Sequence, residues 1–493
     1  MKKITLTLLI ITILSVVNAF AQGGTTGPLT WKLENGKLTI SGEGAMPDYD
    51  SYNPPWRSYA TSVIKTIVIE NGVTHIGNNA FSSCRVMTSV TIPNSVTNIG
   101  NRAFYNCESL TSITIPGSVT SIGNLAFYNC ESLTSITIPG SVTTIGENAF
   151  SGCRSLKSIT LSDGVKTIEN EAFRWCTSLK SITLPNSVTT LGESAFYFCD
   201  NLTSITLSES LESIEFQTFF FCTSLKSITI PGSVKTIGNF AFDYCPSLAS
   251  VEILDGVTTI GYGAFFYCSG LTDITFPNSI TTIDAHAFYL CTSLTSVIIP
   301  DRVKNIGEKT FYKCADLTSV TLPSRLETIG DDAFFACTNL ALITNFNPVP
   351  IDVYPIVFYG VDKSACTLEV PINSVAAYKN ANVWKEFNIV GIEVGIVETD
   401  DYPSLRVYPN PVNHELKITN YGGGDANNGA CPIVEIYDVM GRCVGANLYD
   451  RPVETLRATS LQPTPTITLN VSHLSAGVYF LKIAGKTVKF VKS

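Results

Sequence analysis

From about residue 63 onward the apolar residues fall on a fixed lattice. Following Cys107 they are Leu110, Ile113, Ile115, Val119, Ile122, Ala126, Phe127 and Cys130, and the next stretch repeats them as Leu133, Ile136, Ile138, Val142, Ile145, Ala149 and Phe150. Ser112 and Thr114 alternate with Ile113 and Ile115, the period of two expected of a strand with one buried face. The TSITI segment therefore predicts a strand. AFYNC, with its small and aromatic residues, predicts a tight helical or 3₁₀ turn on the other flank. The stretch AFYNCESLTSITIPGSV occurs unchanged at 103–119 and 126–142, and twelve cysteines from Cys84 to Cys337 follow one another at intervals of 23 residues. A constant period of this size is the signature of a solenoid, whose coils bury their apolar faces only by stacking on one another.

Written as Leu-x-x-Ile-x-Ile-Pro-x-x-Val-x-x-Ile-Gly-x-x-Ala-Phe-x-x-Cys, the pattern resembles the BspA-like leucine-rich repeats of bacterial surface proteins, over about residues 63–392. The resemblance implies a right-handed leucine-rich-repeat solenoid with a parallel β-sheet and short helical or 3₁₀ turns. Departures are single positions: Glu169, Glu215 and Asp284 replace the glycine, Thr218 and Thr310 the alanine, and Met87 the first leucine. Both ends read as caps, which an open apolar stack requires. Asn35-Gly36 between Trp31, Leu33, Leu38 and Ile40 signals a hairpin lying over a first coil whose strand holds Ile64, Ile67 and Ile69. At the far end Phe358, Leu368, Val370 and Pro371 keep a worn repeat, followed by a short helix carrying Tyr378 and Trp384.

Residues 1–21 carry Lys2 and Lys3, an apolar run and the small-x-small site Ala19-Phe20-Ala21, and read as a signal peptide. No later segment approaches about 18 uninterrupted apolar residues, so no transmembrane segment is expected. The chain then divides into an N-terminal cap (22–62), the solenoid (63–346), a degenerate last repeat with the C-terminal cap (347–394), an acidic linker (395–401) and a tail of short alternating strands (402–493), as in a small all-β sandwich. Through Tyr408-Pro409-Asn410-Pro411, Asp438-Val439-Met440-Gly441-Arg442 and Ala476-Gly477-Val478-Tyr479, this tail resembles the C-terminal sorting domain of type IX secretion substrates. That resemblance implies recognition by the type IX secretion machinery at the outer membrane of a Bacteroidota-like bacterium. The product is then held at the cell surface or released.

A metal site finds no support, because no Cys-x-x-Cys or Cys/His cluster exists. Equivalent Cβ atoms in stacked coils sit near 4.8 Å apart, beyond the usual reach of about 3.5–4.5 Å for a disulfide. The regular cysteines are therefore expected to be buried free thiols, while Cys366, Cys431 and Cys443 fall off the beat, and the last two could pair. His75 and His286, the array's two histidines, are nine coils apart, about 45 Å at about 4.8 Å per coil. No catalytic triad assembles over that distance, and no phosphate-binding glycine loop is present; no cofactor and no enzymatic activity are expected. A net charge of −9 argues against nucleic acid as a partner.

Function is thus sought on the outward positions. The strand face repeats Ser-Ile-Thr, from Ser112 and Thr114 to Ser227 and Thr229, with Lys157, Lys180 and Lys226 one place earlier in their coils. These hydroxyls either solvate the sheet or offer a broad polar face; an ice-binding lattice is a remote variant. A second set follows the core phenylalanine: Tyr105, Tyr128, Tyr197, Phe220, Phe266, Tyr289, Tyr312 and Phe335 share one place, with Trp175, Phe198, Phe221, Tyr244 and Tyr267 beside it. Such aromatics either stack along the solenoid edge for stability or form an exposed contact strip, densest between Trp175 and Tyr267. The candidate partner-binding residues are Trp175, Tyr197, Phe198, Phe220, Phe221, Tyr244, Phe266 and Tyr267, with Lys157, Lys180 and Lys226. The family resemblance implies adhesion to host or bacterial surface proteins or glycans. Polysaccharide capture for nutrient uptake and a structural role in the cell coat are the alternatives. Repeated equivalent sites would add avidity.

Overall fold

In the computed structural model, the described residues are 22–49, 53–392 and seven strands of the C-terminal tail; the expected signal peptide (1–21), the acidic linker, Cys431 and the side chain of Cys443 lie outside what is described. The alternating segment forms the expected strand, for example Ser135–Ile138, with Ile136 and Ile138 buried and Ser135 and Thr137 exposed. It pairs in parallel with Ser158–Leu161, Ser135 opposite Ser158 and Ile138 opposite Leu161. This is a shift of one whole repeat. A second strand, not anticipated, lies in the Val-x-x-Ile segment: Thr144–Ile145 pairs in parallel with Ser121–Ile122 on one side and Thr167–Ile168 on the other. The coils therefore line up in two parallel β faces, although in the coil after Cys107 the long segment makes only a bridge from Ser112 to Ser89, and the two-residue length of the second strand hides it from a periodicity argument.

The AFxxC side is a run of tight turns in which two hydrogen-bond patterns alternate. The N–H groups of Ala103, Tyr105 and Cys107 donate to carbonyls three residues back, while those of Arg102, Phe104 and Asn106 donate to the following coil at Asn124, Ala126 and Tyr128. The turns have the i→i−3 bonds of a 3₁₀ element, yet no helix forms there. Arg102 and Asn106 hold left-handed backbone, at φ 54° and 55°, and so do their counterparts in other coils. That interruption frees alternate N–H groups to zip one coil to the next.

Between the three sides lies a one-dimensional core. Phe81, Phe104, Phe127, Phe150, Phe173 and Phe196 are fully buried and stack face to face at 5.1–5.6 Å. Thr218 and Thr310, at the alanine position, are tolerated inside because their hydroxyls donate to the carbonyls of Glu215 (2.9 Å) and Gly307 (2.8 Å). The cysteines are free and buried among the described residues. Each array thiol from Cys107 to Cys337 points its weak donor at the phenylalanine carbonyl of the preceding coil, as from Cys107 to Phe81 and from Cys130 to Phe104, both 3.3 Å. Burial pushes the Cys84 and Cys337 thiols up to about 12 and raises Cys107, Cys176 and Cys199 well above the ordinary range.

The N-terminal cap is the expected hairpin. Leu29–Glu34 and Lys37–Gly42 are antiparallel, with Asn35 and Gly36 both at positive φ in the turn. The second of these strands also pairs in parallel with Thr66–Ile69, so the lid is the first rung of the sheet. Trp56 closes the phenylalanine stack, 5.7 Å from Phe81, with Nε1 donating to Ala80 O at 2.8 Å.

A second unit comprises residues 344–350 and 367–493. In it Thr367–Pro371 pairs in parallel with Asn388–Ile392. The expected capping helix is shorter than read: Val375–Asn380 carries buried Tyr378, whose hydroxyl donates to Asn347 O (2.9 Å), but Trp384 stands in a separate 3₁₀ turn, Trp384–Glu386. Ala381, extended at ψ 139°, ends the helix before the tryptophan. The tail contains an antiparallel three-stranded sheet (Arg406–Tyr408, Glu415–Thr419, Thr466–Asn470) and a four-stranded one (Cys443–Ala446, Val434–Asp438, Gly477–Ile483, Lys486–Lys492). Among the described residues no helix is long and apolar enough to cross a membrane, and no cluster could hold a metal ion.

Candidate partner-binding face

The turn side presents two columns of side chains after the buried phenylalanine, one residue and two residues on. Every occupant of the second column from Ser83 to Ala336 is left-handed, because the alternating turn requires it there. In the first four Cys-marked coils the occupants are Ser83, Asn106, Asn129 and Gly152, small residues that either favour or easily accept this backbone. The next five are Trp175, Phe198, Phe221, Tyr244 and Tyr267, at φ 57°, 57°, 61°, 59° and 55°. A left-handed backbone costs an ordinary residue about 1–2 kcal/mol. Five successive bulky rings in it depart from the small occupants of the first four coils, and the coils that follow carry Leu290, Lys313 and Ala336 at the same place.

These rings meet one another. Phe198 stacks on Phe221 and Phe221 on Tyr244, each at 4.3 Å, and Tyr267 continues tilted at 5.7 Å. In the first column Tyr197 stacks on Phe220 (4.9 Å) and Phe266 on Tyr289 (4.5 Å). Cross-contacts join the columns, Tyr197 to Phe198 at 4.8 Å and Phe266 to Tyr267 at 5.0 Å. Trp175 joins through Arg174, whose guanidinium lies 4.4 Å from the Trp175 ring centre and 4.7 Å from that of Tyr197, and is held by Glu171 at 2.6 Å. All eight aromatic candidates thus belong to one face, with Tyr244 41% and Tyr267 40% exposed.

The face is wider than the sequence reading had it. Phe216, Phe240, Tyr262 and His286, from the segment between the short strand and the core phenylalanine, extend it: Phe240 meets Tyr262 edge-on at 5.2 Å, Tyr262 meets His286 at 4.9 Å, and Phe240 meets Phe266 edge-on at 6.3 Å. The departure of Phe216 and Tyr262 from the usual Asn of that place, as in Asn101, Asn124 and Asn239, was the available signal. Burial and the neighbouring Lys309 pull the His286 imidazole below its ordinary pKa, and its Nδ1 is buried without a hydrogen-bond partner.

Lys157, Lys180 and Lys226 stand elsewhere, exposed at the start of the long strands; Trp175 and Lys180 share a coil but lie on different sides of the turn that carries Cys176. On that strand face the hydroxyls one place before the Ser-Ile-Thr motif bond repeatedly between coils, and within the motif Thr229 Oγ1 donates to Glu252 Oε2 of the following coil (3.1 Å). Thr111 Oγ1 donates to Thr88 O (3.2 Å), Thr134 Oγ1 to Thr111 O (3.3 Å) and Thr203 Oγ1 to Lys180 O (3.0 Å).

Compared with known proteins, residues 57–166, 143–272 and 235–360 match the family profile described as a BspA type leucine-rich repeat region, and 406–493 match that of the secretion system C-terminal sorting domain. No curated protein sequence matches the chain. Among solved structures it is similar to a leucine-rich repeat protein from Bacteroides ovatus (29% identity, 65% of this chain and 94% of that one, TM-score 0.49). It is also similar to a leucine-rich cell surface protein from Faecalibacterium prausnitzii (32% identity, 66% and 94%, TM-score 0.41) and to the pneumococcal vaccine antigen PcpA (23% identity, 76% and 99%, TM-score 0.43).

Proposed function

The chain belongs to the BspA type leucine-rich-repeat family and carries a type IX sorting domain; from that premise, we propose that this surface-directed protein is an adhesin whose turn-side aromatic face grips a protein on a host or bacterial surface. The observation that carries the reading is the run of five bulky aromatics at left-handed positions that the preceding coils fill with Ser, Asn and Gly. Rings placed where the backbone disfavours them, and left partly exposed, suit a contact surface better than a stability device.

Protein is preferred over glycan on this face for a geometric reason. A sugar ring stacks on a free aromatic face, whereas Phe221 has Phe198 on one side and Tyr244 on the other, both at 4.3 Å. Such a stack offers ring edges, which complement apolar side chains. The polysaccharide reading is favoured by a different place, an open groove of about 710 Å³ whose lining includes Tyr354, Tyr359, Asp331 and Lys363, with Tyr354 71% and Tyr359 61% exposed. The discriminating experiment is an array of matrix proteins, bacterial surface proteins and glycans, probed with the purified protein and with a Phe198→Ser/Phe221→Ser/Tyr244→Ser variant. A saturable protein hit lost in the variant supports the adhesin. Glycan hits indifferent to the variant would move the function to the groove, and no hit from a folded protein would favour a cell-coat role.

A further inference from the structure

The first aromatic column continues past the candidate face and ends on an open ring. Tyr289, Tyr312, Phe335 and Tyr359 follow one another at 4.7, 4.8 and 4.9 Å, so Tyr312 and Phe335 each have a ring on both faces. Tyr359 belongs to the last turn-side rung. It follows the 3₁₀ turn Pro355–Phe358, and the Ala336 N–H of the preceding coil donates to its carbonyl. Phe335 covers one face of the Tyr359 ring, yet the residue is 61% exposed. The second column adds no ring beside it, because its occupants at this end are Ala336 and Gly360, at φ 53° and 86°. Tyr359 lines the open groove of about 710 Å³, with Tyr354 (71% exposed), Ile356, Asp331 and Lys363 around it. One ladder thus gives ring edges in its middle and an accessible ring face at its end.

The lining points to the class of occupant. An aromatic ring has a negative face, which attracts the slightly positive C–H groups on one side of a sugar ring. A carboxylate only accepts hydrogen bonds and an ammonium only donates them, whereas neighbouring sugar hydroxyls do both. The charged side chains of the lining are Asp331 and Lys363, whose charges cancel, so no net field draws in a sulfated or sialylated chain. An apolar peptide anchor needs an enclosed, desolvated pocket, which an open groove with two charged side chains does not offer. We propose that this groove binds a neutral oligosaccharide, with one sugar ring stacked on Tyr359 and its hydroxyls shared between Asp331 and Lys363. The site is separate from the aromatic face around Phe221 and does not depend on it; a chain with both holds a protein and a glycan at different places.

The test probes the purified protein with an array of neutral gluco-, manno-, galacto- and xylo-oligosaccharides beside sialylated and sulfated glycans, and measures the affinity of each hit by titration calorimetry. Saturable binding to a neutral oligosaccharide is expected. Tyr359→Ala should weaken it about tenfold, and Asp331→Ala, which removes an acceptor, by a similar factor of about ten. Tyr359→Phe keeps the ring and should bind within about threefold of wild type. The Phe198→Ser/Phe221→Ser/Tyr244→Ser variant should bind the glycan as wild type does, so glycan binding is expected beside a ring-dependent protein hit and not in its place. An array with no neutral hit, hits confined to charged glycans, or binding that survives Tyr359→Ala overturns the groove as the site. A glycan hit lost in the Phe198→Ser/Phe221→Ser/Tyr244→Ser variant also overturns it, since the sugar then sits on the aromatic face. A failed search for protein partners sinks the adhesin reading and leaves the groove standing. Matching melting curves for wild type, Tyr359→Ala and Asp331→Ala keep loss of fold out of the comparison.

Discussion

The coils from Ser83 to Gly152 and those from Trp175 to Tyr267 have the same inside and a different outside. Phe104 and Phe196 are equally buried, Cys107 and Cys199 donate to equivalent carbonyls at 3.3 Å, and both regions show the same left-handed turn. At the exposed left-handed position the first region has Ser, Asn, Asn and Gly, while the second has Trp, Phe, Phe, Tyr and Tyr. Since the first region folds into the same coil without the rings, architecture does not require them. The difference is the ground on which the proposed contact role of the rings rests. In a solenoid of near-identical units, deviation at a fixed position is more informative than the unit itself.

The strongest way to break the comparison is to strike what the two regions share. Phe104→Ala and Phe196→Ala each open a cavity in the buried stack and should cost about 3–5 kcal/mol in urea unfolding, with similar losses in both. A large disparity would mean that the two cores are not equivalent. Next comes what they do not share. Phe198→Ser/Phe221→Ser/Tyr244→Ser should reduce partner binding at least about tenfold while the melting temperature stays nearly unchanged; equal loss of both would return the rings to a structural role. A smaller effect sharpens the backbone argument. Tyr244→Gly, which removes a ring but relieves a left-handed backbone, should change stability by less than about 1 kcal/mol, whereas Asn129→Val, adding a β-branched residue at the same φ, should destabilise by about 1–2 kcal/mol.

The smallest expected effect concerns Asp243. Its carboxyl is raised in the folded state to about 7 from an ordinary value near 3.8, so folding favours the protonated form. Any stability tied to this group is present at low pH and declines as pH rises from about 4 through 7. Asp243→Asn should therefore melt slightly above wild type at pH 8 and level with it at pH 4, as calorimetry at the two pH values would show. A gain that is the same at both pH values would remove the carboxyl as its cause.

Much of this was legible without coordinates. Alternation of Ile with Ser and Thr marked the long strand, Asn35-Gly36 the capping hairpin, and the spacing of Cys84 to Cys337 the stack of free thiols. The eight aromatic candidates were also visible, because they recur at fixed places. Thr144–Ile145 was not, since two residues carry no readable period and become a strand only through partners one repeat away. Nor was the division of labour on the surface, where Lys157, Lys180 and Lys226 share coils or neighbourhoods in sequence with the aromatics but stand on a different side of the solenoid.

The one-dimensional sequence by itself determined the repeat, the inward set of side chains and hence the stack, because each coil must bury the same apolar lattice against copies of itself. It also placed aromatic residues in excess between Trp175 and Tyr267. Only the tertiary structure decided that these rings ride on left-handed backbone, that they cover one another's faces, that Phe240, Tyr262 and His286 join them, and that Asp243 lies between Phe220 and Phe266. The reason is physical: a backbone dihedral set by hydrogen bonds to the next coil, and a ring contact between residues 23 positions apart, exist only once the coils are stacked.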